Sequence, residues 1–254
     1  MGSDQLLVEV EDKIARLTLN RPEVLNALSH ELKSSLAAAL TQANSNPDVR
    51  VVVLQGAGDR AFSAGQDLSE TRDLDEEGAR HWIDGYDRLY SAIREMDKIV
   101  IAKINGYAVG AGFQLTLLSD LRIASDSAKV GMTEVNAGLP CITGTGLLWP
   151  IAGEADARRL VLTGDLVDAI EAKAMGLVHE VVAKGELSDR VDELASRLTE
   201  KAPGAIKLTK EWCRMQGEDN YRRTIQHALE AHASAYGSGE PAEYMSRFLK
   251  KKRD

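Results

Sequence analysis

Apolar positions alternate with polar or small ones over Leu6 to Val10 and Ile14 to Leu19, on either side of the turn-like pair Glu11-Asp12. Successive side chains of a strand point to opposite faces, so this pattern predicts a half-buried β-hairpin. Asn20-Arg21-Pro22 breaks the pattern, and Ser29 can cap a helix begun at the next residue. Leu32, Leu36, Ala39, Leu40 and Ala43 recur at helical spacing, predicting a helix over 30–44 that ends at Asn46-Pro47. Val51-Val52-Val53-Leu54 and the run Ile99 to Ile104 are short and nearly all apolar, as strands buried on both faces are. Between them lie an Asp/Glu-rich stretch and a helix near 78–95. Asn105-Gly106 leads through a glycine-rich turn into an apolar helix over Ala111 to Leu118, with a strand after it at Leu121 to Ala124. A strand–strand–helix unit thus repeats. Helical patterns dominate from Glu154 onward, with one short strand at Val178 to Val182, and Pro203 opens a last group of helices. The shift near residue 195 divides the chain into an α/β core, 1–194, and a C-terminal helical module, 195–254.

Composition narrows the classes. With 254 residues, 44% hydrophobic and 28% charged, the chain is long enough for one large core without metal or disulfide staples. Its two cysteines, Cys141 and Cys213, fit a reducing compartment, and neither has metal-ligand spacing. No apolar run reaches membrane-spanning length, and Asp4, Glu9, Glu11 and Asp12 near the start argue against a signal or transit peptide, so a cytoplasmic location is expected. A formal charge of −8 speaks against a nucleic-acid partner.

Three features suggest chemistry. Gly56-Ala57-Gly58-Asp59-Arg60-Ala61 matches the dinucleotide pattern GxGxxA, with Asp75 at the distance of a ribose contact. The next residues, Phe62 to Asp67, are poor as an amphipathic helix, so the phosphate site of that motif is not assembled. Second, two glycine-rich turns each come after a buried strand: Ser63-Ala64-Gly65-Gln66-Asp67-Leu68 and Gly106-Tyr107-Ala108-Val109-Gly110-Ala111-Gly112. Main-chain N–H groups left free in such turns can donate to one ligand oxygen, although glycines of this kind serve equally in plain tight turns. Third, the acidic run Asp73, Asp75, Glu76 and Glu77 reads as a solvated lid, with Trp82 and Tyr86 on the next helix as candidates to shape a pocket. The five histidines are scattered with no paired nucleophile, which leaves a hydrolase triad unsupported, and Cys141 reads as a small apolar filler.

Taken in order, Ala61-Phe62-Ser63-Ala64-Gly65-Gln66-Asp67-Leu68, Ala102 to Gly112 and Ser119-Asp120-Leu121-Arg122-Ile123-Ala124 resemble the enoyl-CoA hydratase/isomerase, or crotonase, superfamily. Asn20-Arg21-Pro22 with Leu25-Asn26-Ala27-Leu28, Thr133-Glu134-Val135 with Gly138-Leu139-Pro140, Lys201-Ala202-Pro203 and Phe248 to Lys251 extend the resemblance over essentially the whole chain. It implies a crotonase-like spiral of ββα units, a C-terminal helical module that trimerises, and an acyl-CoA thioester as substrate, with no metal or redox cofactor. It also implies that the N–H groups of Gln66 and Ala111 form an oxyanion hole, with Asn26, Ala27, Ala64, Asp67, Leu68, Phe248 and Lys251 along the CoA. Ala111 departs from the family's usual glycine; the main-chain N–H survives the change.

Hydratases of this family usually present two glutamates, and here those positions are Gln114 and Glu134. Glutamine holds water but takes no proton, so one ionisable carboxylate remains. The resemblance therefore points first to double-bond isomerisation with Glu134 as single acid/base. Hydration of a 2-enoyl-CoA, with Gln114 positioning the water, is the alternative, and decarboxylation or thioester hydrolysis remains open on the same scaffold. A non-catalytic CoA- or RNA-binding module is the reading from a different class. Homotrimers or hexamers are expected, without nucleic acid or membrane as partner.

Overall fold

The computed structural model describes residues 4–251, except that the side chains of Phe248 and Lys251 lie outside the described residues. The hairpin forms as β1 (Leu6–Glu11) and β2 (Ile14–Leu19), turned by Asp12 and Lys13 at φ of 48° and 66°. Among the described residues β1 is an edge strand paired only with β2; its Leu7, Val8 and Val10 are exposed, and of its six residues only Leu6 is buried. The half-buried character expected of the hairpin therefore belongs to β2. Helix α1 (His30–Ser45) starts where Ser29 Oγ accepts the Leu32 N–H at 3.0 Å.

The chain then runs through β3 (Val51–Gly56), β4 (Ala61–Ser63), α2 (Leu68–Thr71) and α3 (Glu76–Arg94). Next come β5 (Ile99–Ile104), β6 (Tyr107–Val109) and α4 (Ala111–Leu118), then β7 (Leu121–Ser125), β8 (Lys129–Gly131), a 3-10 turn at Glu134–Ala137 and α5 (Ile142–Thr163). β9 (Val167–Asp168), α6 (Ala169–Ala174), β10 (Glu180–Val182), α7 (Leu187–Thr199), α8 (Pro203–Ser238) and α9 (Glu240–Lys251) complete it. Three times the chain adds a strand to one sheet, a short strand to a second sheet, and a helix. The first sheet has the order β1-β2-β3-β5-β7-β10 and is parallel from β2 on; the second has the order β4-β6-β8-β9 and is parallel except at β9.

Burial of the first sheet on both faces explains its unbroken apolar runs. Val51, Val53, Ile99, Ile101 and Ile123 face Leu187, Val191, Leu194 and Ala195 of α7, and the alternate residues Val52, Leu54, Val100, Ala102 and Ala124 join the main core with Leu36, Leu40, Leu89 and Phe113. Position 195 thus falls within α7, whose apolar stripe still packs on the sheet. Among the described residues no strand follows β10, and α8 returns along α3, placing Tyr221 and Ile225 in the main core.

β4, β6 and β8 are not legible as strands in the sequence, because three residues are too few to show a period of two. α5 begins at Ile142, well before the helical pattern becomes apparent at Glu154. Gly144, Gly146, Pro150 and Gly153 read as helix breakers, yet the chain is helical on both sides of a kink at Gly153, where φ is 75°. Among the described residues no helix is long and apolar enough to cross a membrane.

Candidate active site

Ser63 in β4 pairs with Ala108 in β6, so the two glycine-rich turns leave the second sheet side by side. They touch where neither has a side chain. A Cβ on Gly65 (φ +85°) would lie 2.7 Å from the Val109 carbonyl oxygen and 3.3 Å from the Ala111 nitrogen, and one on Gly112 would lie 2.5 Å from the Ser63 carbonyl oxygen. A parallel bridge anchors the first turn: the Leu28 N–H donates to Gly65 O at 2.8 Å and the Asp67 N–H to Leu28 O at 3.2 Å. That pairing directs the Gln66 N–H to the opposite side. Ala111 opens α4 after Gly110 at φ 52°, and the first N–H groups of a helix have no intrahelical acceptor. Neither the Gln66 nor the Ala111 N–H finds an acceptor among the described residues. The positive end of the α4 dipole adds to the second of them.

β8 lies beside β6, so the 3-10 turn beyond it brings Glu134 to the same place. Its Oε1 is 3.5 Å from the point a Gly110 Cβ would occupy. Gln114, one turn into α4, donates from Nε2 to Glu134 Oε1 at 2.7 Å, and Cys141 donates from Sγ to Oε2 at 3.4 Å. Tyr90 O–H in turn donates to Gln114 Oε1 at 2.7 Å. Burial raises the Glu134 carboxyl above its ordinary value, against the lowering effect of its hydrogen bonds, including those from Cys141 and Gln114. Burial, and after it the Glu134 charge, pushes the Cys141 thiol well up, so it remains a donor. The result is a carboxylate held by two neutral donors beside two free N–H groups.

The other expected ligand-binding residues divide by how they are used. Asn26, fully buried at φ 55°, accepts the Arg21 N–H at 3.0 Å and donates to the carbonyls of Ala57 and Ala61 at 3.0 and 2.9 Å. Its side chain is a staple between loops, and its main chain is engaged as well, the N–H donating to Arg21 O and the carbonyl accepting from Ser63 Oγ, both at 2.8 Å. Replacing it by Ala strands two carbonyls and one N–H, so Asn26→Ala is expected to lower stability by about 3 kcal/mol or more, read as a shift of the urea midpoint at constant m. Ala27 accepts Arg21 Nη1 at 2.8 Å through its carbonyl, and the half-buried Ala64 donates its N–H to Leu25 O at 2.9 Å. Asp67 caps α2 through Ser69 and pairs with Arg21 at 2.8 Å. Burial alone would raise its carboxyl, and the Ser69 and Arg21 hydrogen bonds more than offset this and hold it below the usual range. Leu68, like Leu74 and Trp82, packs against the buried cluster of Ala79, Ala137, Leu139, Tyr236 and Met245. The Phe248 and Lys251 side chains lie outside the described residues.

The acidic run is not a free lid: Asp75 Oδ1 caps α3 by accepting the Gly78 N–H at 2.8 Å, and Glu76 and Glu77 occupy the first turn, where the helix dipole favours negative charge. α3 also carries residues whose joint role the sequence pattern does not reveal. Trp82, Tyr86 and Tyr90 recur every four positions and form one wall, with ring centroids 5.7 Å apart for Trp82–Tyr86 and 5.3 Å for Tyr86–Tyr90. That spacing is visible in the sequence but indistinguishable from an ordinary core stripe. His232 packs edge-to-face on Trp82 and is pushed down to about 4 by burial, a neutral core histidine. Among the described residues no group of His, Cys, Asp or Glu side chains could hold a metal ion.

Comparison with known proteins identifies the family. The family model for Enoyl-CoA hydratase/isomerase matches residues 9–254. A crotonyl-CoA hydratase of Syntrophomonas wolfei is 33% identical, covering 100% of this chain and 98% of the relative. An (E)-benzylidenesuccinyl-CoA hydratase of Thauera aromatica is 39% identical over 80% of each chain. A crystal structure of an enoyl-CoA hydratase/isomerase from Xanthobacter autotrophicus Py2 superposes with a TM-score of 0.89 at 30% identity, covering 98% of this chain and 93% of that one. With nearly the whole chain matched, and with the two-sheet spiral and C-terminal helices in common, the protein belongs to the enoyl-CoA hydratase/isomerase family of enzymes, the crotonase superfamily.

Proposed function

We propose that the protein binds an enoyl-CoA thioester with its carbonyl oxygen between the Gln66 and Ala111 N–H groups and moves its double bond, with Glu134 carrying the proton. The observation behind this reading is that both polar ends of Gln114 are engaged, its oxygen with Tyr90 and its nitrogen with Glu134. Gln114 therefore offers no base to a water, and Glu134 is the group that can both take and return a proton. In a 3-enoyl-CoA, the Glu134 carboxylate removes a proton from C2 and the electron pair moves onto the thioester oxygen, where the two N–H groups stabilise the enolate. The electrons then return through the chain, C4 takes the proton back from Glu134, and the double bond lies at C2–C3. The CoA arm runs along residues 26–27 and 64–68, and no metal or redox cofactor takes part.

Hydration is the second reading, favoured by the names of the two relatives above, both hydratases. Here Glu134 alone deprotonates the water that adds to C3 and then protonates C2. Incubation with 2-enoyl-CoA and 3-enoyl-CoA in ¹⁸O-water, with mass spectrometry of the products, separates the two. Migration without label is the expected outcome; labelled 3-hydroxyacyl-CoA as the main product would replace isomerisation by hydration, and no change with either would overturn both. Gln114→Glu supplies a second carboxylate and is expected to raise labelled product at least about tenfold in the same assay. Assembly as a homotrimer belongs to the same proposal. Leu208, Trp212 and Met215, spaced along one side of α8, are 66%, 62% and 57% exposed, a stripe suited to burial between copies of the chain.

A further inference from the structure

Lys33 interrupts the apolar stripe of α1, between Leu32 and Leu36, and is only 4% exposed. Its Nζ lies 3.4 Å from Gln66 Oε1 and 4.2 Å from the centre of the Tyr86 ring, with no carboxylate in ion-pair range among the described residues. An ammonium has three protons to donate, and one long bond with a ring face leaves it poorly compensated for lost water. Burial brings its amine down to about 8, with Glu70 on α2 opposing and Arg88 on α3 adding to the shift, so it is mostly cationic near neutral pH.

The same Gln66 oxygen also accepts Trp82 Nε1–H at 2.8 Å and Tyr86 O–H at 2.5 Å. Three donors, one of them charged, converge on one neutral amide oxygen that has two lone pairs. A carboxylate answers such a set better, with two oxygens, about four acceptor positions and a negative charge. The cluster is joined to the reaction centre. Gln66 supplies a thioester-facing N–H, and the Tyr86 ring contacts Tyr90, whose hydroxyl leads through Gln114 to Glu134.

We propose that Lys33, Trp82 and Tyr86 form a subsite for a carboxylate on the acyl group, so that the preferred substrate is the CoA thioester of a dicarboxylic acid; this rests on the acyl-CoA reading above. Gln66 Oε1 marks the point where one carboxylate oxygen is received, and its flexible side chain turns aside to admit it. Saturated ligands test this without turnover. Succinyl-, glutaryl- and adipyl-CoA are titrated calorimetrically against the uncharged acyl-CoA of matched length, in the full protein. At least one carboxylated ligand is expected to bind about tenfold or more tightly than its match, and Lys33→Met to bring that ratio close to one. Should Lys33→Met not fold, Trp82→Phe and Tyr86→Phe, which each delete one donor and keep an aromatic ring, are each expected to lower the ratio about threefold. Equal binding of the two series, or a ratio that survives these substitutions, overturns the subsite alone. Failure of both series to bind overturns the acyl-CoA reading and the subsite with it.

Discussion

Glu134→Gln is expected to lower kcat by about 10²–10⁴-fold while the affinity for CoA stays within about twofold, the range that loss of a general acid/base produces. The substitution preserves shape, and its amide oxygen can still accept the 2.7 Å bond from Gln114; it removes the ability to carry a proton and, as a smaller change, the oxygen that accepts the Cys141 thiol. Stopped assays of double-bond migration and of hydration, alongside calorimetric CoA binding, provide the check. Activity within tenfold of the parent in both assays would remove Glu134 from the mechanism. The wild-type pH profile carries the same information. Burial raises the Glu134 carboxyl, and the ionised form is the one that takes the first proton. Activity should therefore fall with decreasing pH through a value above the usual carboxylate range, and this acidic limb should vanish from the residual activity of Glu134→Gln.

The second large effect is expected at a residue with no side chain. Gly65→Ala places a methyl 2.7 Å from the Val109 carbonyl oxygen and 3.3 Å from the Ala111 nitrogen, on a residue at φ +85°. The conformation alone costs about 1–2 kcal/mol for a residue with a Cβ, and the contact with main-chain atoms forces the two turns apart. Because the proposed oxyanion hole takes one N–H from each turn, a shift that disengages one donor should cost about 10²–10³ in kcat. Thermal melting and kcat measured together separate the components. A lowered Tm with kcat within threefold of the parent for the folded fraction would show that the turns do not cooperate in catalysis. Gly110 is a poor control for this experiment, since Glu134 Oε1 lies 3.5 Å from where its Cβ would stand and the substitution would disturb the acid as well.

Much of the fold is legible in the sequence where a segment is long enough for its period to show. The helix expected over 30–44 appears as α1 at His30–Ser45, and the helix over Ala111 to Leu118 appears with those bounds. The second sheet is not legible. Its strands β4, β6 and β8 have three residues each, and their side chains look like turn residues until the neighbouring strand is known. Yet that sheet brings the two glycine turns and Glu134 to one end. Positions 66, 111 and 134 stand in the sequence as separate motifs, tied together only by their resemblance to a family.

Other residues give a signal that one dimension cannot interpret. Lys33 breaks an apolar stripe, which usually means a lysine whose charge reaches water; that it is buried against Tyr86 and Gln66 depends on α3 lying across α1. Tyr90 looks like core and is core, but its hydroxyl is within 2.7 Å of Gln114 because α3 and α4 pack together. Cys141 reads as a filler and is buried as one, while its thiol also donates to Glu134.

The sequence by itself determined the local elements, the α/β class and the chemistry on offer: one carboxylate at 134, a glutamine at 114, and main-chain N–H groups in two glycine turns. These depend on side-chain type and short-range periodicity, which act over a few residues. The tertiary structure alone decided which of them meet. Register in the second sheet aligns the two turns, the absence of Cβ atoms at Gly65 and Gly112 lets them touch, and burial among α1, α3 and α4 gives Lys33 and Glu134 their altered acidity. Distances between residues far apart in the chain, and the water excluded between them, are properties of the packed molecule, and they make the site.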